Sequence, residues 1–301
     1  MTKTLVLIGG TGGLGSQVAK GLVTAEGYDT KKALVRNPDS EKAYDLKSLG
    51  WELVAFEDYS NAHALEQALE NAHTIVSTLS GGDMVTLEKA IVDAAKANGS
   101  SLFVPSQFGV DYRRWGTSFP FLAGKKMVFD YAKEQGVPTL VVFNGLFSDW
   151  IFDFLASPSE GKARMVGDGS GKVTFTRRSD IGYVLAKSLS NEPLDALSNS
   201  TLSMQGTTLP YKEALDLLSE ALGKPLTLEV ISVEDAAADE AKLLDKGLQG
   251  DMGAFFGAFA LHLLGEPQRG NTGCDTSAEA KSYGFKLELL TETLKSVYGA
   301  K

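Results

Sequence analysis

The stretch that decides the fold is Thr4-Leu-Val-Leu-Ile-Gly-Gly-Thr-Gly-Gly-Leu-Gly15, in which an apolar run passes into closely spaced glycines and then into a helical pattern. The glycines fit G-x-x-G-x-x-G from Gly9 and G-x-G-x-x-G from Gly10. The first glycine lets the strand turn, the second leaves room for a pyrophosphate, and the third lets the helix pack on the strand. The helix start offers free N–H groups to that phosphate. We therefore predict a dinucleotide site whose turn residues are Gly9, Thr11, Gly12, Gly13, Leu14 and Gly15.

The chain after this turn alternates short apolar strands with helical patterns. This alternation is typical of βαβ units, and hence of a parallel sheet covered by helices on both faces. The fold class predicted is α/β, a doubly wound (Rossmann) sheet. The predicted strands are 32–35, 51–56, 74–78, 101–105 and 139–143, and the predicted helices are 13–25, 40–49, 61–69, 84–97 and 121–134.

The alternation weakens after about residue 150. Residues 161–171 are rich in Gly, Ser and charge and are predicted to form a loop. We expect a dinucleotide-binding domain over 1–150, to which 172–206 returns, and a smaller, partly interleaved α/β substrate lobe over 151–301. The strands predicted after residue 150 are 172–175, 202–204 and 226–233, and the helices are 180–189, 211–222, 236–264 (mostly helical) and 287–297.

Composition excludes several classes of function. The chain has 301 residues and a formal net charge of −9, which argues against a general nucleic-acid or anionic-membrane surface. A single cysteine, Cys274, excludes an internal disulfide framework, and the three histidines show no metal-ligand spacing. The longest apolar stretch, 252–264, is too short to span a bilayer. We expect a cytoplasmic protein without a metal, a nucleic-acid partner or a membrane partner.

The end of the second predicted strand indicates which dinucleotide binds. NAD-binding proteins usually carry an acid there, whereas this strand ends in Val35-Arg36. A guanidinium can pair with a 2′-phosphate, and Lys42 could add a second charge, so NADP(H) is predicted. The alternative is that Arg36 is simply solvated. Further along the same edge of the sheet, Asp58 and Ser80-Gly81 are placed where the adenine and the nicotinamide half should pass.

Short-chain dehydrogenases use a Tyr-x-x-x-Lys pair, and the chain contains two matches, Tyr28/Lys32 and Tyr183/Lys187. The first pair lies at the wrong end of the sheet, and the second comes too late in the chain. We interpret both tyrosines as packing residues.

Five motifs occur in the order of a known family. Together they resemble the isoflavone reductase-like (phenylcoumaran benzylic ether reductase) and NmrA-like group of atypical short-chain dehydrogenases, most closely over about the first 190 residues. The family's usual Pro-Ser-Glu-Phe-Gly appears here with Gln107. The motifs are the glycine turn, Val35-Arg36, Val76-Ser-Thr-Leu-Ser-Gly81, Val104-Pro-Ser-Gln-Phe-Gly-Val-Asp111, and Val137-Pro-Thr with Asn144-Gly-Leu-Phe147.

The resemblance implies that Lys125, twelve residues before Val137-Pro138, is the catalytic acid/base and also faces the cofactor. It further implies hydride delivery from NADPH to an electron-poor carbon, with a deprotonated phenol generating a quinone-methide-like acceptor. The alternative is that Lys125 and Lys126 simply form an exposed helix start. Ser106 and Gln107 lie at the carboxyl edge of the sheet, where ligands sit, and Asn144 is either structural or part of the site.

Aromatic residues that follow the predicted strands 101–105 and 139–143 could form an apolar pocket. Those predicted to line it are Phe108, Phe147, Trp150, Phe255 and Phe256, with Phe152, Phe154 and Phe259 beside them.

The main hypothesis is an NADPH-dependent reductase of a small aromatic or conjugated substrate (a phenol, quinone or enone), acting as a monomer or homodimer. The rival is an NmrA-type regulatory protein that senses NADP(H) without turnover. A third option is a quinone reductase of the same superfamily.

Overall fold

The computed structural model describes residues 3–299. Its central feature is a parallel sheet in the order β3-β2-β1-β4-β5, with β1 in the middle between β2 and β4. The strands are β1 (Thr4–Ile8), β2 (Thr30–Val35), β3 (Glu52–Ala55), β4 (Ala72–Ser77) and β5 (Leu102–Val104).

The helices between these strands begin where the sequence provides caps. Ser40 and Asn61 each accept a hydrogen bond from the backbone N–H three residues on, which satisfies one free donor of the first turn. The predicted elements of this part are present, with ends shifted by a few residues. The helices are α1 (Gly15–Leu22), α2 (Glu41–Ser48), α3 (Ala62–Ala68), α4 (Met84–Ala97), α5 (Tyr112–Trp115) and α6 (Pro120–Gln135).

Alternate residues of β1 enter two different cores. Leu5 and Leu7 pack on one face of the sheet with α1, whereas Val6 and Ile8 pack on the other face with α3 and α4. Because side chains of a strand alternate between faces, both faces are covered, as the doubly wound class requires. The predicted fold class is confirmed.

Two further strands extend the sheet beyond β5. Phe103 bridges to Thr139, just before β6 (Leu140–Phe143), and its N–H donates to the Pro138 carbonyl at 2.8 Å. β11 (Ser200–Ser203) then pairs in parallel with β6. A late segment of the chain therefore lies beside an early one.

The other strands form two small sheets, β12-β10-β7 and β13-β9-β8. The strands are β7 (Leu146–Phe147), β8 (Ala156–Ser157), β9 (Lys162–Val166), β10 (Lys172–Thr176), β12 (Thr207–Pro210) and β13 (Thr227–Ile231). The helices are α7 (Ile151–Leu155), α8 (Arg178–Asn191), α9 (Leu194–Leu197), α10 (Tyr211–Leu222), α11 (Val233–Leu248), α12 (Met252–Gly265) and α13 (Leu290–Tyr298), with 3₁₀ turns at Pro158–Glu160, Glu266–Arg269 and Ser277–Glu279.

The prediction of a loop over 161–171 is wrong, because β9 occupies its first half. Ala163 and Met165 are buried, Lys162 is exposed and Arg164 is half-buried, which is the period-2 pattern of a strand. The flanking glycines and charges obscured this short alternation.

The small sheets enclose a core of their own, built around Phe152, Phe175 and Leu218 and distinct from the two cores of the large sheet. We propose to keep the division into a first lobe (1–150), to which 172–206 returns, and a second lobe (151–301), although β10, at the start of the returning segment, lies in one of the small sheets. α8 packs along α1, and β11 pairs with β6.

Within residues 3–299, no helix is both long and apolar enough to cross a membrane. No group of three His, Cys, Asp or Glu side chains in this range could hold a metal ion.

Candidate active site

The glycine turn between β1 and α1 has the close approaches expected of a dinucleotide turn. Gly9 adopts φ +80°, and a Cβ there would lie 2.8 Å from the Thr78 hydroxyl. A Cβ at Gly15 would lie 2.1 Å from the Gly9 carbonyl oxygen, so the helix can begin here only with glycine. Gly12 donates to the Gly9 carbonyl at 2.9 Å, which closes the turn.

The start of α1 keeps backbone donors free. Leu14 makes no side-chain capping bond, and the N–H groups of Gly13 and Leu14 have no hydrogen-bond partner within residues 3–299. Free N–H groups at a helix start, without an acidic side chain in the first turn, suit a phosphate. The turn thus fits the pyrophosphate of a dinucleotide.

Arg36 follows β2 directly and is exposed, as is Lys42 on α2. Burial raises the pKa of Tyr59 to about 12, and the charge of Arg36 lowers it. The exposed Asp58 binds the Ser60 N–H and hydroxyl at 3.0 and 2.6 Å, so it shapes its own turn. Neither Arg36 nor Lys42 forms an ion pair within residues 3–299, so both cations could contact a 2′-phosphate.

Ser80 and Gly81 are exposed in the loop between β4 and α4. The preceding Thr78 is buried, and its N–H and hydroxyl both donate to the Ile8 carbonyl at 2.9 Å. Thr78 therefore ties this loop to the glycine turn.

Lys125 lies on α6 with its amine buried; the residue is 4% exposed. Its Nζ donates to the Phe108 carbonyl and lies 5.0 Å from the centre of the Phe121 ring. Burial lowers the pKa of Lys125 to about 8, while the charge of Glu88 raises it. The neighbouring Lys126 is instead exposed and paired with Asp130. The alternative of a merely exposed helix start therefore holds for Lys126 and not for Lys125.

Glu88, on α4, is fully buried beside this lysine. Its two carboxyl oxygens accept the Ser106 N–H at 2.9 and 3.2 Å. Burial raises the pKa of Glu88 to about 7, and hydrogen bonds from Ser77 and Ser106 and the charge of Lys125 lower it. The carboxyl edge of β4 and β5 thus holds an acid and a base, both titrating near neutral pH.

Gln107 has an unpartnered buried oxygen. Its Nε2 donates to the Lys125 carbonyl at 2.9 Å, whereas Oε1 has no partner within the described part of the chain. A buried amide oxygen is costly to leave unpaired, so this atom suits a donor group of a ligand.

Asn144 links β6 to the loop that follows β5. Its Oδ1 accepts the Gly109 N–H at 3.0 Å, and its Nδ2 donates to the Gly145 carbonyl at 3.2 Å. Because the amide oxygen and the amide nitrogen both bind backbone groups, these contacts favour a structural role for Asn144 over a role in the site. Asn144 thereby positions the loop whose Phe108 carbonyl binds Lys125.

A chain of aromatic rings leads from Lys125 towards the surface. The ring centres of Phe121 and Phe259 are 5.7 Å apart, and those of Phe259 and Phe154 are 6.2 Å apart. Phe154 stacks on Trp150 at 5.5 Å and meets Phe256 edge-on at 6.4 Å. Trp150 and Phe256 are 41% and 50% exposed. We call these five rings the aromatic wall.

The structure brings together only some of the predicted pocket residues. Phe108 is buried in a core of the large sheet, and Phe147 packs partly buried against the same core, so neither ring joins the aromatic wall. Phe152 stacks on Phe175 inside the second lobe. Phe255 packs on Phe119, next to the wall.

Sequence reasoning missed Glu88 although a signal was present. Leu87, the residue before it on α4, is only half-buried. The buried stripe contains Glu88, Ile91, Val92 and Ala95, at the i, i+3, i+4, i+7 spacing. A carboxyl group on an otherwise apolar stripe indicates a functional residue, because Glu is rarely buried without a partner.

Both Tyr-x-x-x-Lys tyrosines have packing roles. The Tyr28 hydroxyl bonds Thr74 at 2.8 Å on β4, and Tyr183 stacks on Phe285 at 5.1 Å.

Residues 1–282 match the sequence profile of the NmrA-like family. This chain belongs to the NmrA-like family. Among its relatives, an isoflavone reductase homolog of Nicotiana tabacum is 28% identical over 77% of this chain and 78% of that protein. A phenylcoumaran benzylic ether reductase of Ginkgo biloba is 27% identical over the same shares.

Solved structures agree with the fold of this NmrA-like protein. AtPrR2, solved with NADP+ and (+)-pinoresinol, has a TM-score of 0.79 at 24% identity and covers 99% of both chains. The predicted family resemblance is confirmed. The predictions of an oxidoreductase and of NADP(H) agree with the names and bound cofactor of these relatives.

Proposed function

We propose that this NmrA-like protein is an NADPH-dependent reductase of a small phenol, quinone or enone, with Lys125 as the general acid/base. The observation that carries the proposal is the buried amine of Lys125, held by the Phe108 carbonyl at the end of the aromatic wall. The family also supports a reductase activity, since relatives of this chain are named reductases.

The cofactor fits the residues present. The glycine turn and its free N–H groups would hold the pyrophosphate, Arg36 and Lys42 the 2′-phosphate, and the loop 80–81 with Gln107 the nicotinamide half. Bound NADPH would supply the hydride.

Lys125 would move the proton. A pKa of about 8 leaves both the ammonium and the amine populated near neutral pH, so this side chain can donate a proton to a substrate oxygen or take one from it. The aromatic wall would orient a flat substrate and exclude water from the amine.

The test is a screen of phenols, quinones and enones for NADPH oxidation by the wild-type protein. Turnover of one class, with weaker activity on NADH, supports the proposal. NADPH binding without turnover of any compound would instead favour the NADP(H)-sensing regulator.

Arg36→Ala tests the cofactor assignment separately. Loss of a charge-assisted phosphate contact should weaken NADPH binding about tenfold or more and leave NADH binding unchanged. Equal wild-type affinity for the two dinucleotides in a fluorescence titration would contradict the assignment.

A further inference from the structure

Arg178, the first residue of α8, lies against the glycine turn although 165 positions separate it from Gly13. One of its guanidinium NH₂ nitrogens donates to the Gly13 carbonyl at 3.2 Å, and its Nε donates to Asp149 at 3.0 Å. The second carboxyl oxygen of Asp149 accepts the backbone N–H of Arg178 at 3.2 Å. Both side chains are largely buried, at 19% and 11% exposed.

Close packing of α8 on α1 fixes this arrangement. A Cβ at Gly182 would lie 2.2 Å from the Val18 carbonyl oxygen, and one at Gly21 would lie 2.1 Å from the Tyr183 nitrogen. The two helix backbones therefore touch, which only glycine allows at these positions. This packing places the start of α8, and with it Arg178, beside the glycine turn.

We propose that Arg178 binds the pyrophosphate of the dinucleotide, and that Asp149 holds its guanidinium beside the turn until the cofactor arrives. The inference rests on the cofactor site of the proposed function. A guanidinium offers a planar fork of donors that matches phosphate oxygens. This one already contacts Gly13, whose N–H has no partner within the described part of the chain.

Asp149 can release the guanidinium without being left unpartnered. It keeps the backbone N–H of Arg178 and the positive end of the α8 dipole.

The pyrophosphate is common to NADPH and NADH, whereas the 2′-phosphate is not. Arg178→Gln should therefore weaken both dinucleotides by a similar factor, about tenfold or more, in contrast to Arg36→Ala. Asp149→Asn, which frees the guanidinium, should leave both affinities unchanged or tighter.

The experiment is calorimetric titration of NADPH and NADH into the wild-type protein and the variants R178Q, D149N and R177Q, each checked for folding by circular dichroism. Arg177 is the matched control, because it is the adjacent arginine and pairs with Glu288 away from the turn. R177Q should bind within twofold of wild type.

Wild-type affinity in R178Q would overturn the inference, and so would equal weakening by R178Q and D149N, which marks a purely structural ion pair. If R178Q does not fold, D149N decides: weaker binding overturns the inference, and unchanged or tighter binding supports it. Failure of the wild-type protein to bind either dinucleotide would overturn the proposed function itself.

Discussion

Lys125 in the first lobe and His262 in the second are both buried titratable side chains, but they differ in how many of their polar atoms are occupied. The Nζ of Lys125 has one hydrogen-bond partner within the described residues, the Phe108 carbonyl. Both ring nitrogens of His262 are occupied: Nε2 accepts the Trp115 indole N–H at 2.7 Å, and Nδ1 lies 2.7 Å from Glu240.

The hydrogen-bond partners of His262 determine which of its ring nitrogens carries the proton. An indole N–H can only donate, so Nε2 must be an acceptor and Nδ1 carries the proton that Glu240 accepts. The carboxylate is also held by Arg269 at 3.5 Å. Both ring nitrogens of His262 are therefore occupied within the described residues, so this side chain has a structural role, while the amine of Lys125 keeps capacity for a ligand.

The contrast between Lys125 and His262 would not hold if Lys125 were dispensable for turnover. Lys125→Met keeps the apolar stem and removes the amine, and we expect turnover to fall about 10²- to 10⁴-fold with NADPH binding retained. Single-turnover kinetics on a substrate from the screen would measure this. Lys126→Met, which alters only an exposed ion pair, is the control and should keep wild-type rates.

His262→Phe should show the opposite behaviour. It leaves the Trp115 N–H unpaired and removes a partner of Glu240, so the free energy of unfolding should fall by about 3 kcal/mol, with kcat little changed. Urea unfolding measures the first and steady-state kinetics the second. The exposed His63→Phe should stay within about 0.5 kcal/mol of wild type. A large loss of kcat in His262→Phe at full stability would remove the distinction between the two clusters.

Glu88→Gln tests whether Glu88 influences the pKa of Lys125. Above pH 7 the ionised Glu88 raises the pKa of Lys125, so its removal should lower that pKa and move the rise of amine reactivity to lower pH. The rate of Lys125 acetylation against pH, followed by mass spectrometry, reports this without any substrate. An unmoved profile would show that Glu88 does not act on the amine.

Glu88 should also make the free energy of unfolding depend on pH. The pKa of Glu88 is raised from 4.5 to about 7, so the native protein holds this proton more tightly than the unfolded chain does. Its contribution to the free energy of unfolding is therefore complete below pH 4.5 and is lost as the pH rises to about 7. In Glu88→Gln the free energy of unfolding should therefore change less between pH 4.5 and about 7 than in the wild-type protein, as measured by urea unfolding at each pH.

The sequence alone predicted the glycine turn, the strands β1 to β6 and the helices α1 to α4 and α6, but not the short elements α5 and β7. Helix and strand periods, caps such as Ser40, and glycines that tolerate φ > 0 act over a few residues, so they can be read locally. The short strand β9 was not predicted, because its alternation of buried and exposed residues is brief and lies between glycines. The role of Lys125 came from a resemblance and remains a proposal.

Only the tertiary structure decided the surroundings of that lysine. Burial and the Phe108 carbonyl set the state of its amine, the packing of α4 buries Glu88, and the packing of α8 on α1 brings Arg178 to Gly13. These contacts join residues from 17 to 165 positions apart. A pKa or an ion pair depends on the distance and solvent exposure of such partners, and neither quantity is encoded by local periodicity.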